Sequence, residues 1–581
     1  MGTISDKLMR IINTKEDIRQ ALISKGYDVP TSIPFKEYAK MILDLPCNAD
    51  SFPDIEGIVA RYSASGLTNE QMAANPVWVD KTGNGHDLQL KNFSWKGMSG
   101  IGGYVVDIDE WGTNSTAAYF ERNSIKITAT FKENASLGLL YHNIKLRQSC
   151  VLKVTGIPEG CDAFLDDRLG NRFYMSEDGV YEIIPSNFLA EALYLSIEKY
   201  PERWYGSKLT IEQLPLYPGF ILGDGVDDFA VTEKELNFED TYTVYTAFIP
   251  FQNNPTRNMI LCGADSKKTF SMQYSSLVYV SFIAGNNYYI NADFVNGLNL
   301  FACKRNGNNI CIKNLLTNKV VTGTCGDWVE NAGLYYLWKN ATYASFARAA
   351  IAGQTICNGY FSTDEDDEKV LNWYKKQYPW LFPDQAWTVT GKTNEDEDRA
   401  TISNITGNGN NLVLSNFGFE EGSGYNKEGE HAGYLVTDGV DDKITSSAFE
   451  MGKDFTVVGE WRFIIDERKA AGLIKPPSFY LFNENNGLKL FINNTEKSSS
   501  LNTKSLKAIC SDGRVYFDDW SEMLLSEEQP ITSSSKDLSI GCNSTIYTQM
   551  AFKNLGIYND QLLSKDDCIK AYNYLQTIKS K

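Results

Sequence analysis

Residues 219–228 read Gly-Phe-Ile-Leu-Gly-Asp-Gly-Val-Asp-Asp, and residues 433–442 read Gly-Tyr-Leu-Val-Thr-Asp-Gly-Val-Asp-Asp. In both stretches a short aromatic and aliphatic run ends in an Asp-Gly turn that is followed by an acidic pair. A run bounded by turn residues in this way predicts a buried strand that enters a tight reversal. Glycine suits the turn because it reaches positive φ without a Cβ clash.

A second pair of stretches repeats in the same order. Residues 82–93 read Thr-Gly-Asn-Gly-His-Asp-Leu-Gln-Leu-Lys-Asn-Phe, and residues 406–417 read Thr-Gly-Asn-Gly-Asn-Asn-Leu-Val-Leu-Ser-Asn-Phe. Gly409 lies 29 positions before Asp438, whereas Gly85 lies 139 positions before Asp224. The sequence therefore predicts two copies of one module, and the first copy carries an insertion of 110 residues, the difference between the two spacings.

These boundaries predict four regions. We expect a helical segment at 1–46, a first β-sandwich at 47–100 and 219–383, an inserted small β-domain at 101–218, and a second β-sandwich at 384–581. The insertion has alternating apolar residues of its own, such as Ile125, Ile127 and Ala129, which is typical of strands. Each module is predicted to close with a strand and a helix, the helices lying near 364–377 and 565–577. The short apolar junction at 379–384 predicts that the modules pack together.

Composition excludes several classes of protein. The formal net charge of −18 and the pI near 4.8 argue against a nucleic-acid surface. No apolar run approaches the ~20 residues that a membrane span needs, and the first residues do not resemble a secretory signal. The 11 cysteines are scattered and favour buried free thiols made in a reducing cytoplasm over a disulfide framework. The three histidines are too far apart in sequence to suggest a metal cluster.

The clearest predicted helix covers residues 4–25. Its apolar residues recur at alternating spacings of four and three, and they are Ile4, Leu8, Ile11, Ile18 and Leu22. This heptad stripe is consistent with self-association. An ordinary amphipathic helix that packs on the next domain is the alternative.

A resemblance to a known family lies in the same region. Residues 4–8 (Ile-Ser-Asp-Lys-Leu), 14–23 (Thr-Lys-Glu-Asp-Ile-Arg-Gln-Ala-Leu-Ile) and 34–39 (Pro-Phe-Lys-Glu-Tyr-Ala) resemble a leader on fibre and appendage proteins of tailed phages. These include phages related to crAssphage that infect Bacteroides. The resemblance implies attachment to the virion or assembly with sister subunits.

The Asp-Gly-Val-Asp-Asp strand ends make the two modules similar to the laminin-G-like, concanavalin-type lectin and glucanase fold. That resemblance implies jelly-roll sandwiches of two antiparallel sheets, often with a carbohydrate-facing groove. The turn-rich and aromatic-rich composition independently indicates a mainly β chain. The predicted fold is therefore two concanavalin-like sandwiches, the first with an inserted small β-domain, preceded by an N-terminal helical segment.

No catalytic residue is predicted. Glucanases of this fold carry Glu-x-Asp-x-x-Glu on one strand, and the sequence contains no such triplet. The acidic runs at 364–368 and 395–398 are interpreted as solvated surface at a helix start and in a turn. No cofactor is expected, and no sugar site is named. The pairs Asp227-Asp228 and Asp441-Asp442 leave Ca²⁺ open as an alternative to ordinary turn hydrogen bonding.

The sequence thus predicts a non-enzymatic phage virion protein, a head or tail fibre or surface appendage that contacts host polysaccharide. Its predicted partners are other virion proteins, bound through the N-terminal segment, and further copies of itself, without nucleic acid or membrane. Its expected location is the virion, assembled in the host cytoplasm. Two alternatives are a capsule-polysaccharide depolymerase, disfavoured by the missing triplet, and a bacterial surface adhesin, disfavoured by the missing signal peptide.

Overall fold

The computed structural model describes residues 52–578 with internal gaps, the longest of which are 105–117, 133–149, 184–193, 465–478, 497–505 and 525–533. The chain forms two compact units, Met1–Asp54 and Ile55–Lys581, and the description below concerns the second. The predicted helical segment at 1–46 lies outside the described residues. None of the described helices is long and apolar enough to cross a membrane.

Forty-five strands and four α-helices are described. Before the insertion, the first module contains β1 (Ile58–Ser63), α1 (Asn69–Ala74), β2 (Val77–Trp78), β3 (Leu88–Lys91) and β4 (Gly100–Gly102). The insertion contains β5 (Ala118–Asn123), β6 (Lys126–Phe131), β7 (Cys150–Thr155), β8 (Asp162–Asp166), β9 (Arg172–Met175), β10 (Gly179–Ile183), β11 (Tyr194–Glu198), α2 (Pro201–Trp204) and β12 (Lys208–Gln213).

The first module then resumes and ends with its long helix. Its elements are β13 (Tyr217–Asp224), β14 (Phe229–Thr232), β15 (Leu236–Asn237), β16 (Thr241–Pro250), β17 (Met259–Ala264), β18 (Ser271–Tyr274), β19 (Tyr279–Ile283), β20 (Tyr289–Asp293), β21 (Asn299–Asn306), β22 (Asn309–Asn314), β23 (Lys319–Thr324), β24 (Ala332–Gly333), β25 (Tyr335–Leu337), β26 (Arg348–Asn358) and α3 (Asp364–Gln377). A 3₁₀ turn, Pro379–Leu381, follows α3.

The second module has shorter strands and the same closing order. Its elements are β27 (Gln385–Thr388), β28 (Thr401–Ile402), β29 (Leu412–Ser415), β30 (Gly424–Tyr425), β31 (Leu435–Val436), β32 (Lys443–Ser446), β33 (Phe449–Met451), β34 (Phe455–Phe463), β35 (Phe479–Glu484), β36 (Gly487–Ile492), β37 (Thr495–Glu496), β38 (Ala508–Cys510), β39 (Arg514–Tyr516), β40 (Glu522–Leu524), β41 (Ser534–Lys536), β42 (Ser539–Ile540), β43 (Cys542–Asn543), β44 (Ile546–Tyr547), β45 (Met550–Asn559) and α4 (Lys565–Thr577).

Two antiparallel sheets form the first module. One sheet has the order β23-β22-β21-β16-β26-β13-β4, with β1 also on β26, and the other has the order β2-β3-β14-β25-β17-β18-β19-β20. Apolar side chains from both sheets form one buried core that includes Trp78, Phe248 and Trp338. This is a β-sandwich, and the mainly β fold class predicted from the sequence is confirmed.

The second module pairs its strands in the same way. Its large sheet has the order β30-β31-β45-β34-β38-β39-β40, with β27 also on β45. The central pair β34–β45 corresponds to β16–β26, and each has a register shift at the same place, between Ala247 and Phe248 in the first module and between Glu460 and Trp461 in the second. The repeated stretches therefore have like neighbours in their sheets, as the repeat predicts.

The insertion forms two sheets of its own, β10-β7-β12-β6-β5 and β11-β8-β9. They enclose a separate core that includes Phe131, Leu165 and Trp204. The flanking strands β4 and β13 pair with each other in the large sheet of the first module. The insertion therefore leaves and re-enters the first sandwich at neighbouring strands.

The two modules are in direct contact. The Tyr558 hydroxyl donates to the Trp380 carbonyl over 2.8 Å, and the amide of Leu298 donates to the Tyr574 hydroxyl over 2.9 Å. The Lys570 ammonium lies 4.2 Å from the ring centre of Trp380, within range of a cation–π interaction. The packing predicted from the apolar junction at 379–384 is confirmed.

Candidate functional site

The repeated acidic turns are closed by the same hydrogen bonds in both modules. The amide of Asp224 donates to Asp228 Oδ2 over 3.0 Å, and the amide of Asp438 donates to Asp442 Oδ2 over 2.7 Å. The glycine that follows the first aspartate is left-handed in both, with φ of 79° at position 225 and 76° at position 439. A Cβ on Gly225 would lie 2.9 Å from the Cβ of Arg348, so this turn requires glycine for both conformation and space.

The last aspartate of each turn is fully buried. Burial, the largest effect, raises the pKa of Asp228 to about 7 and that of Asp442 to about 6. Ser423 Oγ donates to Asp442 Oδ1 over 3.1 Å. Because these carboxylates accept hydrogen bonds from the turn itself, the geometry fits ordinary turn hydrogen bonding.

The same turns contain the groups of acidic residues that could bind a cation. In each turn three carboxylates offer oxygens within 4.8 Å of one another, and they are Asp224, Asp227 and Asp228 in the first and Asp438, Asp441 and Asp442 in the second. Calcium prefers six to eight oxygen ligands, and each group provides three carboxylates. Calcium binding at these turns stays an untested alternative.

The acidic run at 364–368 is not wholly solvated, contrary to the prediction. Asp366 is 6% exposed and Asp367 is 2% exposed. Asp366 forms a capping box with Thr363, since Asp366 Oδ2 accepts the Thr363 amide over 3.0 Å and Thr363 Oγ1 accepts the Asp366 amide over 3.2 Å. In the first turn of α3, Asp364 and Glu365 are exposed, as predicted, whereas Asp366 and Asp367 are buried. In the run at 395–398, Glu397 and Asp398 are exposed, as predicted.

Asp367 is the centre of a buried ion-pair cluster. Its Oδ2 lies 2.8 Å from Lys304 Nζ and 3.0 Å from Lys313 Nζ, and its Oδ1 accepts from the Tyr245 hydroxyl over 2.9 Å and from Ser362 Oγ over 3.2 Å. The cluster ties α3 to strands β16, β21 and β22. A satisfied buried pair of this kind has a structural role, since both charges are compensated.

The second module has two thiols in the place of this ion pair. Lys304 pairs in register with Thr243, and Cys510 pairs in register with the corresponding Thr456. Cys568 is the fourth residue of α4, as Asp367 is of α3. Cys510 and Cys568 are buried, and a hydrogen bond between them lowers the pKa of Cys510 and raises that of Cys568. No disulfide joins the nine cysteines for which the structure describes a free thiol.

The second module has a buried charged network of its own around Glu460. Its carboxylate accepts from Tyr434, from Tyr572 over 2.8 Å and from Gln576 over 2.8 Å, with Lys507 Nζ at 3.6 Å and Lys553 Nζ at 3.8 Å. Burial alone would raise the pKa of Glu460, but the neighbouring cations hold it well below its ordinary value. A permanently ionised, fully paired carboxylate is unsuited to general acid catalysis.

Exposed aromatic residues could not be identified from the sequence, and the structure locates them. Six tryptophans are fully buried, namely Trp78, Trp204, Trp338, Trp387, Trp461 and Trp520. The most exposed tyrosines of the described chain lie in the insertion, and they are Tyr119 at 68%, Tyr205 at 57% and Tyr174 at 44%. Among the described residues, the aromatic rings most open to a ligand are therefore these tyrosines of the inserted domain, followed by Phe361 of the first module at 37%.

Tyr174 belongs to a mixed aromatic and charged surface, here called the insert platform and defined by Phe164, Asp166, Arg172 and Tyr174. Phe164 pairs in register with Tyr174 and Asp166 with Arg172, so the four residues share one face of β8 and β9. The rings of Phe164 and Tyr174 are 5.3 Å apart, the Arg172 guanidinium carbon lies 4.7 Å from the centre of the Phe164 ring, and Arg172 Nε donates to Asp166 Oδ2 over 3.0 Å. The intervening Leu165 lies in the insert core, on the opposite face of β8. Arg172 and Tyr174 are the exposed part of the platform, whereas Phe164 at 5% and Asp166 at 8% exposure are buried beneath them.

Comparisons with known proteins give fold-level matches only. No protein family and no curated protein matches the chain by sequence. Among solved structures, a botulinum neurotoxin type C structure, whose cell entry depends on two ganglioside molecules, matches at 9% identity and a TM-score of 0.24, covering 58% of this chain and 87% of its own.

Two smaller matches are domain 4 of AbnA, an arabinanase of Geobacillus stearothermophilus, in complex with arabinotriose, and the VIP36 lumenal domain with Ca²⁺ and Man3GlcNAc. The first has 13% identity and a TM-score of 0.20, covering 26% of this chain and 81% of its own; the second has 8% identity and a TM-score of 0.19, covering 26% and 84%. At these identities and TM-scores the matches do not show what this chain binds.

Proposed function

We propose that this protein is a non-enzymatic surface appendage of a phage virion, a head or tail fibre component that contacts polysaccharide of the host surface. The leader resemblance at residues 4–39 supports the virion assignment. The insert platform supports the polysaccharide contact, and it is the observation that carries this part of the proposal.

The platform offers the two kinds of contact that a sugar ring needs. The half-exposed ring of Tyr174 provides an apolar surface for the C–H face of a pyranose, with its hydroxyl as a polar group at the edge. The Arg172 side chain, 42% exposed, presents N–H donors to ring hydroxyls, and the buried Asp166 holds it in place over 3.0 Å. A rigid aromatic residue beside fixed polar groups is typical of small-ligand sites.

The absence of catalysis is part of the same proposal. The sequence lacks the Glu-x-Asp-x-x-Glu triplet. Two buried carboxylates of the modules, Asp367 and Glu460, are held by lysines and tyrosines. Those contacts favour a structural role over acid–base chemistry.

The test is a binding and hydrolysis assay of the purified protein with Bacteroides capsular polysaccharide. We expect binding without release of reducing ends, and the Tyr174→Ala variant should bind about five- to tenfold more weakly. Tyr119→Ala is the matched control, because Tyr119 is an exposed tyrosine on β5 in the other sheet of the insertion. Release of reducing ends would instead support the depolymerase alternative.

The virion assignment needs its own measurement. Cryo-microscopy of intact particles should show density for the two sandwiches at the head or the tail. Failure to find the protein in purified particles, by mass spectrometry, would contradict the assignment and leave the polysaccharide contact as a separate question.

A further inference from the structure

A cleft of about 500 Å³ lies where the insertion meets the second module. The strands β7 and β10 form one wall, the start of α4 and Trp520 form the other, and the segment from Leu214 to Pro218 forms the floor. These elements come from the insertion, from the segment that follows it, and from the second module. The cleft is therefore created by the packing of the insertion against the second module.

One buried polar atom in this cleft has no hydrogen-bond partner. Asn573 is 2% exposed and lines the cleft, and within the described part of the chain its Oδ1 accepts no hydrogen bond. A buried acceptor without a partner costs about 1–3 kcal/mol. Such an atom would be satisfied by a ligand that donates a hydrogen bond, such as a hydroxyl group.

The charges around the cleft favour an anion in spite of the acidic chain. Three lysines line it, Lys153 from the insertion and Lys565 and Lys570 from α4, against the two carboxylates Asp178 and Asp566. Asp178 Oδ1 accepts the amides of Gly156 and Ile157 over 2.6 and 2.8 Å, so this carboxylate is already engaged by the loop. Lys570 is paired with Asp567 over 3.1 Å, which leaves Lys153 and Lys565 against Asp566 as the charges open to a ligand. This local balance contrasts with the formal net charge of −18 of the whole chain.

We propose that this cleft binds an acidic saccharide, a sugar unit that carries both hydroxyl groups and a carboxylate. The carboxylate lies between Lys153 and Lys565, and a hydroxyl group donates to Asn573 Oδ1. The volume of about 500 Å³ is within the range of small-ligand sites. This inference rests on the proposed saccharide-binding function and deepens it, since it names the class of sugar and a second site.

The test uses trigalacturonic acid as the acidic probe and maltotriose as the neutral probe, titrated into the full-length protein by isothermal calorimetry. We expect trigalacturonic acid to bind more tightly than maltotriose, with an affinity that falls as salt is raised. Lys153→Glu should weaken trigalacturonic acid binding about tenfold or more, because it reverses a charge at the cleft. Lys208→Glu is the matched control, since Lys208 is an exposed lysine of the same inserted domain that does not line the cleft.

Asn573 is tested by two variants. Asn573→Leu removes the unpartnered acceptor and should weaken binding of both probes about tenfold, whereas Asn573→Ser keeps a polar oxygen and should weaken it less. Far-UV circular dichroism checks that the variants are folded. Equal losses for Lys153→Glu and Lys208→Glu, or equal affinity for the two probes, would overturn the inference.

The outcomes separate this inference from the proposed function. Capsule binding that depends on Tyr174, together with no binding of trigalacturonic acid, supports the proposed function and refutes the acidic-sugar cleft. Binding of trigalacturonic acid that depends on Lys153, together with no binding to capsule, supports the cleft and refutes the capsule contact.

Discussion

The buried pair Lys304–Asp367 gives the sharpest prediction about stability. The two side chains are 4% and 3% exposed, and Nζ lies 2.8 Å from Oδ2. The Lys304 ammonium also donates to the Ser362 carbonyl over 3.0 Å. Replacement of Asp367 by leucine leaves the ammonium buried without its counter-charge, and such a loss typically costs about 3–5 kcal/mol.

Removal of both charges should cost less than removal of one. In Lys304→Met/Asp367→Leu the side-chain volumes are nearly kept, neither charge of the pair remains, and Lys313 keeps Asp364 as its partner. The Tyr245 and Ser362 hydroxyls lose their acceptor, at about 1–3 kcal/mol for a buried group left unpaired, but Asp367→Leu alone loses the same acceptor and also leaves the Lys304 charge unpaired. The second module supports this expectation, because it has the side chains of Cys510 and Cys568 in place of the lysine and the aspartate.

The measurement is hydrogen exchange of α3 by mass spectrometry in the full-length protein, with α4 as the internal reference. Asp364→Ala is the matched control, because Asp364 contacts the same Lys313 over 2.6 Å but its side chain is 93% exposed, and exposed pairs contribute little. If the amides of α3 exchange as fast in the double variant as in Asp367→Leu, the unpaired buried charge is not the cause of the lost stability. That result would refute this reasoning.

Three further predictions concern pH, the thiols and the leader. Burial raises the pKa of Asp228 to about 7, so the folded state binds a proton more tightly than the unfolded state. The stability that this protonation contributes is fully present below about pH 4 and is lost as the pH rises through 7, by as much as ~4 kcal/mol. Asp228→Asn should flatten this slope in denaturation at several pH values, the exposed Asp227→Asn should not, and an unchanged slope in Asp228→Asn would contradict the assignment. The 11 cysteines should titrate as free thiols in protein trapped with an alkylating agent; disulfides found by mass spectrometry would contradict assembly in a reducing compartment. Leu8→Asp/Ile11→Asp should abolish oligomer formation or incorporation into particles, since a lone helix of ~20 residues is marginal in water, and normal assembly of this variant would reduce the leader to an ordinary packed helix.

The repeat and its turns could be predicted from the sequence because their causes are local. An Asp-Gly step after an apolar run needs only a left-handed glycine and a nearby carboxylate, and both copies provide them. The bounds of α3 and α4 agree with the predicted helices, since Thr363 and Ser564 cap them from within the same turn. The insertion was measurable from spacing alone, because two copies of one module differ in length at one place.

The charged interior and the binding surfaces could not be predicted in this way. The acidic run at 364–368 has the composition of a solvated helix start, and only the approach of β21 turns Asp367 into the partner of Lys304. Likewise, Lys153 and Asn573 are 420 positions apart, and no local pattern relates them. Burial and exposure depend on which elements pack together, and that is decided by tertiary contacts between distant parts of the chain. The sequence by itself therefore determined the modules and their turns, while the tertiary structure decided which charges are buried, which tyrosines are exposed and where a cleft forms.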